Sequence, residues 1–132
     1  TDYCFATQFA SIKLSELNIG IGPFVVGPAV ERKLGLTGMS QIAINANEFY
    51  SPEWAKNNGL FAEVYDSTEE MDAGIQAFAE NLCTYNPDAM AEMKKMFWTG
   101  CENWDQLLFE RAKISGRLVL SEFTKETLKR FK

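Results

Sequence analysis

The chain contains no histidine, and that absence narrows its possible chemistry sharply. Without an imidazole, Ser-His-Asp and Cys-His nucleophilic mechanisms are out of reach, as are most zinc sites. Acid and base work must then fall to carboxylates, lysine, tyrosine or cysteine. Among the carboxylates, Glu16 stands out by its setting. It follows the alternating run Phe9-Ala10-Ser11-Ile12-Lys13-Leu14 and precedes the glycine-punctuated stretch Gly20-Ile21-Gly22-Pro23. A carboxylate at the end of a half-buried strand, beside an apolar loop, is expected to lose solvent, which favours its neutral form. A group poised between acid and base is what proton transfer near neutral pH needs. The plainer reading is a solvated carboxylate at a strand end, the commoner fate of glutamate. The residue pattern alone favours that plainer reading.

The other candidates are weaker. Cys4, Cys83 and Cys101 are odd in number and show no metal-ligand spacing. The expectation is reduced, mostly buried thiols in a cytoplasmic protein. Cys101 has no base near it in sequence, so a nucleophilic role has no support. Glu69, Glu70 and Asp72 suit the first turn of a helix, where the dipole favours negative charge. Lys94-Lys95 reads as a solvated face. Met90, Met93 and Met96 near Trp98 read as core methionines filling gaps rather than a binding groove. The glycines between Gly20 and Gly27 lack the spacing of a phosphate-cradling loop.

Bulk properties set the frame. The 132 residues carry 18 acidic and 13 basic side chains, a net charge of −5, which argues against a nucleic-acid partner. With 46% hydrophobic residues a substantial core is expected. No apolar run approaches the length of a membrane span, and the N-terminus lacks the basic and apolar regions of a signal peptide. Thr1-Asp2-Tyr3-Cys4 runs straight into apolar sequence, as the middle of a longer protein would.

The elements that must position Glu16 follow from periodicity and caps. Residues 9–14 alternate, with Ala10, Ile12 and Leu14 to one side, and predict a strand. Gly27-Pro28 opens a short helix that Gly35 stops, and a second runs over residues 39–46. Ser51-Pro52-Glu53 predicts another helix start, ending at Gly59. Residues 60–65 predict a strand. From Ser67 the pattern turns helical, with Met71, Ile75, Phe78 and Leu82 on one face. Asn86-Pro87 caps the next helix, with Met90, Met93 and Phe97 inward. A long helix begins near Asn103, and Ser121 caps the last. This is an α+β chain, an α/β part over residues 1–66 followed by a helical part over 67–132. The helical part has more apolar surface than one thin layer can hide, which suggests a partner surface and, by default, a homo-oligomer.

Read in order, these pieces resemble the C-terminal half of enoyl-CoA hydratases and isomerases of the crotonase superfamily. Asp2, the run 9–14, Ser15-Glu16 and Asn18-Ile19-Gly20-Ile21-Gly22-Pro23 are similar to the family's Asp before a strand, the strand, its Pro-Glu or similar pair and its Pro-ended loop. Leu36-Thr37-Gly38 matches its Leu-Thr-Gly helix. Tyr50-Ser51-Pro52-Glu53-Trp54-Ala55 through Gly59-Leu60 is similar to its capped segment, and residues 121–131 to its final helix.

The resemblance implies the C-terminal part of a crotonase-like spiral of ββα units with a helical trimerisation segment. It implies an acyl-CoA substrate, no other cofactor and no metal, a trimer or dimer of trimers, and no nucleic acid or membrane partner. It implies that two backbone N–H groups hold the thioester oxygen as it gains enolate charge, while carboxylates move protons. Glu16 matches one catalytic Glu. Phe24 stands where the family often has glycine and is expected to border the acyl group. Phe131 matches an aromatic near the CoA adenine, with Lys132 standing in for a basic residue beyond it. The family's second Glu and its oxyanion glycine would precede Thr1. Branched or carboxylated acyl groups, as in methylglutaconyl-CoA hydratases, are the narrower expectation. The alternative is a non-catalytic helical module for oligomerisation or partner binding.

Overall fold

The computed structural model describes residues 1–130. Two short parallel strands, β1 (Phe5–Thr7) and β2 (Glu63–Tyr65), pair with Phe5 opposite Glu63 and Thr7 opposite Tyr65. Six helices complete the chain: α1 (Gly27–Ile44), α2 (Pro52–Asn57), α3 (Thr68–Leu82), α4 (Pro87–Phe97), α5 (Trp104–Val119) and α6 (Glu122–Lys129). The fold is α+β, as expected from sequence.

Local chemistry explains most of the boundaries. Ser51 Oγ accepts the Trp54 N–H at 3.1 Å, Ser67 Oγ the Glu70 N–H at 3.1 Å, and Ser121 Oγ the Thr124 N–H at 3.3 Å. Asn86 Oδ1 accepts the Asp88 N–H at 2.9 Å. Each satisfies an N–H that the helix itself leaves unpaired. Gly35 breaks α1 as expected, with φ 67° and ψ 171°, but the chain re-enters helix at once rather than near Met39. Only glycine takes that left-handed value freely.

The strand expected over residues 9–14 does not form. A turn returns the Ala10 N–H to the Thr7 carbonyl at 3.0 Å. Beyond it only Ile12 pairs, in an antiparallel bridge to Tyr50. Alternation marks a half-buried segment, but a strand also needs a neighbour along its length. Residues 5–7 find one in β2 and residues 9–14 do not. The second expected strand is also shorter. The N–H groups of Leu60 and Phe61 go back to the Ala55 carbonyl, so pairing starts only at Glu63.

The buried apolar residues are Ala6, Leu34, Met39, Ile42, Ala46 and Ala55, all in the first part of the chain. Helix α3 lies against β1 and β2, and Phe78 stacks on Tyr3 with ring centroids 4.4 Å apart. Yet α3, α4 and α5 contain no buried residue. Met93, Met96 and Phe97, expected to face inward, are exposed. The amphipathic spacing was read correctly, but no second layer of this chain covers that face. All three cysteines are free, but the expected burial is not found: Cys83 is exposed, and Cys4 and Cys101 are only half-buried.

Candidate functional site

Glu16 opens a single 3-10 turn, Glu16–Ile19, rather than ending a strand. The Asn18 N–H reaches the Ser15 carbonyl at 3.0 Å, and the Gly20 N–H reaches Leu17 at 3.1 Å. The Ile21 N–H then donates to the carbonyl of Glu16 itself at 3.2 Å. Gly20 ends the turn at φ 83°, in the left-handed region. The turn is held from outside as well: Asn18 Nδ2 donates to the carbonyl of Ala46, just after α1, at 2.9 Å.

The Glu16 side chain is the unusual feature. Its Oε2 is the one buried side-chain oxygen or nitrogen among the described residues with no hydrogen-bond partner. Buried polar atoms are overwhelmingly paired, because leaving one unmade forfeits its hydration without return. An unpartnered buried oxygen of this kind calls for an explanation, and a group brought to it from outside the chain is one. Among the described residues none of the ion pairs uses Glu16.

Phe24 is half-buried and turns its ring back over Gly22, where a Cβ would come within 2.7 Å of the ring. The Phe24 N–H donates to the Gly22 carbonyl at 2.8 Å, and its own carbonyl accepts from Arg111 Nη1 at 3.4 Å. Glu16 and Phe24 thus share one loop, tied by Arg111 to α5. Phe131 and Lys132 lie outside the described residues.

A cavity of about 720 Å³ lies elsewhere and has Asp2, Arg32, Lys33, Phe61, Trp98 and Trp104 among its lining residues. Neither Glu16 nor Phe24 borders it or the neighbouring cavity of about 370 Å³. Its carboxylate, Asp2, is already engaged, accepting from Trp98 Nε1 at 2.8 Å and pairing with Lys94. Those two partners hold the Asp2 carboxyl below its ordinary value. Arg32 and Lys94 also face the Trp98 ring. The cavity therefore has apolar and cationic walls, and its one carboxylate is already paired. Lys94 is exposed, as expected of a solvated face, and also pairs with Asp2. No local signal could have joined residue 2 to α4, because the contact is tertiary. Among the described residues no group of His, Cys, Asp or Glu is placed to hold a metal ion, and no helix is long and apolar enough to cross a membrane.

Comparison with known proteins adds the family. The family model for enoyl-CoA hydratase/isomerase matches residues 1–131. No curated protein matches the chain. Among solved structures, an enoyl-CoA hydratase from Mycobacterium avium superposes with a TM-score of 0.87 at 22% identity, covering 98% of this chain and 51% of that one. One from Bacillus halodurans gives 0.86 at 18% identity, covering 98% and 52%. An enoyl-CoA hydratase/isomerase from Pseudoalteromonas atlantica gives 0.84 at 16%, again covering 98% and 52%. At these identities the likeness is one of fold, and the chain spans about half the length of the structures it matches.

Proposed function

Since the chain belongs to the enoyl-CoA hydratase/isomerase family, we propose that it supplies Glu16 as an acid/base group for proton transfer on an enoyl-CoA thioester. The observation that carries this is the buried, unpartnered Oε2 of Glu16. Water addition needs one proton removed from the attacking water as its oxygen bonds to the β-carbon. It needs another delivered to the α-carbon as the thioester enolate collapses. Glu16 moves one of these. The other proton and the thioester oxygen call for a second acid/base group and for hydrogen-bond donors. Phe24 borders the acyl group and limits its size. Among acyl groups, branched or carboxylated enoyl-CoAs are our narrower reading.

The test is Glu16→Gln in the full polypeptide, assayed for hydration of a short trans-2-enoyl-CoA. Loss of a positioned acid/base group should lower turnover by roughly 10²–10⁴-fold. Turnover within a factor of about two of wild type would sink the assignment.

A second reading concerns the helical part. Because α3, α4 and α5 bury none of their residues in the single chain, they also suit a homo-oligomer interface, a trimer or dimer of trimers. This role is compatible with the first and would remain if Glu16 proved inert.

A further inference from the structure

Helix α6 presses on the turn that carries Glu16, and Gly20 is the point of contact. A Cβ on Gly20 would lie 2.5 Å from the Phe123 ring and 2.7 Å from Thr124 Oγ1, so α6 can sit this close only because residue 20 is glycine. Thr124 is the one buried polar residue among those described, at 0% exposure. Its hydroxyl donates to the Leu118 carbonyl near the end of α5 at 3.0 Å and accepts from Ser121 Oγ at 3.2 Å. A threonine hydroxyl can do both at once. Thr124 thus ties α6 to α5 and rests on Gly20 at the same time. Gly20 follows directly on the turn, and the Ile21 N–H beside it donates to the Glu16 carbonyl. Any shift of Gly20 moves Glu16. On the opposite side the turn is pinned through Asn18 to Ala46. The turn is therefore clamped between the chain that follows α1 and helix α6.

We propose that Thr124 and Gly20 are positioning residues that hold the Glu16 carboxylate in register, with α6 as the outer jaw of the clamp. This rests on the reading of Glu16 as the acid/base group. Neither residue would touch substrate; both act through the backbone of the turn. A carboxylate displaced by a fraction of an ångström still binds nothing less, but it transfers protons more slowly, so the effect belongs in kcat rather than KM.

The experiment uses the full polypeptide, with Gly20→Ala, Thr124→Val and Thr124→Ser beside Glu16→Gln. Thr124→Val keeps the shape and removes the hydroxyl; Thr124→Ser keeps the hydroxyl. Each variant is first checked for a wild-type circular dichroism spectrum and assembly. On a short trans-2-enoyl-CoA, Thr124→Val and Gly20→Ala should lose about tenfold or more in kcat at unchanged KM, with Thr124→Ser within about threefold of wild type. The ¹³C signal of the Glu16 carboxyl should shift in Thr124→Val and return in Thr124→Ser. A folded Thr124→Val with wild-type kcat and an unmoved Glu16 signal overturns the proposal, and leaves the acid/base reading intact if Glu16→Gln is inactive. If Glu16→Gln is fully active the acid/base reading fails instead, and the ¹³C signal alone then decides whether α6 positions Glu16. Should Gly20→Ala not fold, the two Thr124 variants carry the comparison.

Discussion

The two parts of the chain differ in that, among the described residues, only the first holds buried apolar ones, although it too exposes Phe9, Leu36, Ile44 and Phe49. In the first part Ile42, Ala46 and Ala55 are almost wholly enclosed, and the element boundaries are closed by neighbours from the same part. In the second, Phe109 is 64% exposed, Leu120 69% and Phe123 66%, although side chains cap the starts of α3, α4 and α6 as Ser51 caps α2. Caps and periodicity make a helix; they do not supply something to pack against. The first part is therefore a small core built to hold a turn still, and the second is a set of finished helices whose apolar faces have no cover within this chain. Contiguous exposed apolar surface of this kind marks an association site. The unpartnered oxygen of Glu16 reverses the pattern: in the part that holds the core, one buried polar atom is left unpaired.

The comparison can be broken most easily at Ile42. Its side chain is only 1% exposed, so Ile42→Ala should lower the unfolding free energy by about 2–5 kcal/mol through lost burial and a residual cavity. Phe109→Ala in the dissociated subunit should change it by no more than about 0.5 kcal/mol, as for an ordinary surface position. Urea denaturation measures both, and similar losses would erase the distinction drawn between the parts. The sharper test of the helical part is assembly itself. Phe109→Glu with Leu120→Glu should shift the sedimentation profile to smaller species while the far-ultraviolet spectrum stays native, because a charge buried in an apolar interface is left unpaired. An unchanged sedimentation coefficient would mean that these faces are covered by something other than a second copy.

What the sequence disclosed depends on how far each determinant reaches. Ser51, Ser67, Asn86 and Ser121 announced helix starts because a cap is a contact within three residues, and Gly35 announced a break because φ is a property of one residue. Strand β1 was missed, and the run 9–14 preferred to it, because alternation can be read along a chain but pairing cannot. The partner of Phe5 is Glu63, far along the sequence. The inward side of α4 was assigned from spacing, which identifies the apolar face of Met93 and Phe97 but not whether this chain covers it. Glu16 was found by resemblance, since its pattern alone was that of a solvated glutamate. The features that single it out physically, its unpartnered oxygen and the approach of α6 to Gly20, are tertiary.

A smaller effect is expected at the caps. Ser67→Ala removes the acceptor for the Glu70 N–H and should cost about 1 kcal/mol. Ser51→Ala at the start of α2 should cost a similar amount, since a cap is local and indifferent to which part it serves. Equal losses in urea denaturation would support the view that the parts differ in packing and not in helix formation. A loss confined to Ser51 would mean that the helical part is not folded by itself.

The smallest effect concerns the link between the parts, where Asp2 meets Lys94 and Trp98 of the α4 end. Hydrogen bonds from Lys94 and Trp98 lower the Asp2 carboxyl from its usual value, which in the unfolded chain is about 3.9. A carboxyl with a depressed folded value contributes stability that is fully present above the unfolded value and is lost as the pH falls through the folded one. The pair is solvent-exposed, so salt and water screen it and the gain is small. Asp2→Asn keeps an acceptor for Trp98 Nε1 but removes the charge that Lys94 pairs with. Its melting temperature should therefore fall slightly below wild type at pH 7, with the gap closing as the pH drops below about 4. The Trp98 emission of the wild type should change over the same acid range, because Trp98 donates to the group that titrates. A gap that stays constant from neutral to acid pH would show that Asp2 joins the two parts by shape alone, and that the charge on residue 2 is incidental to where α4 lies.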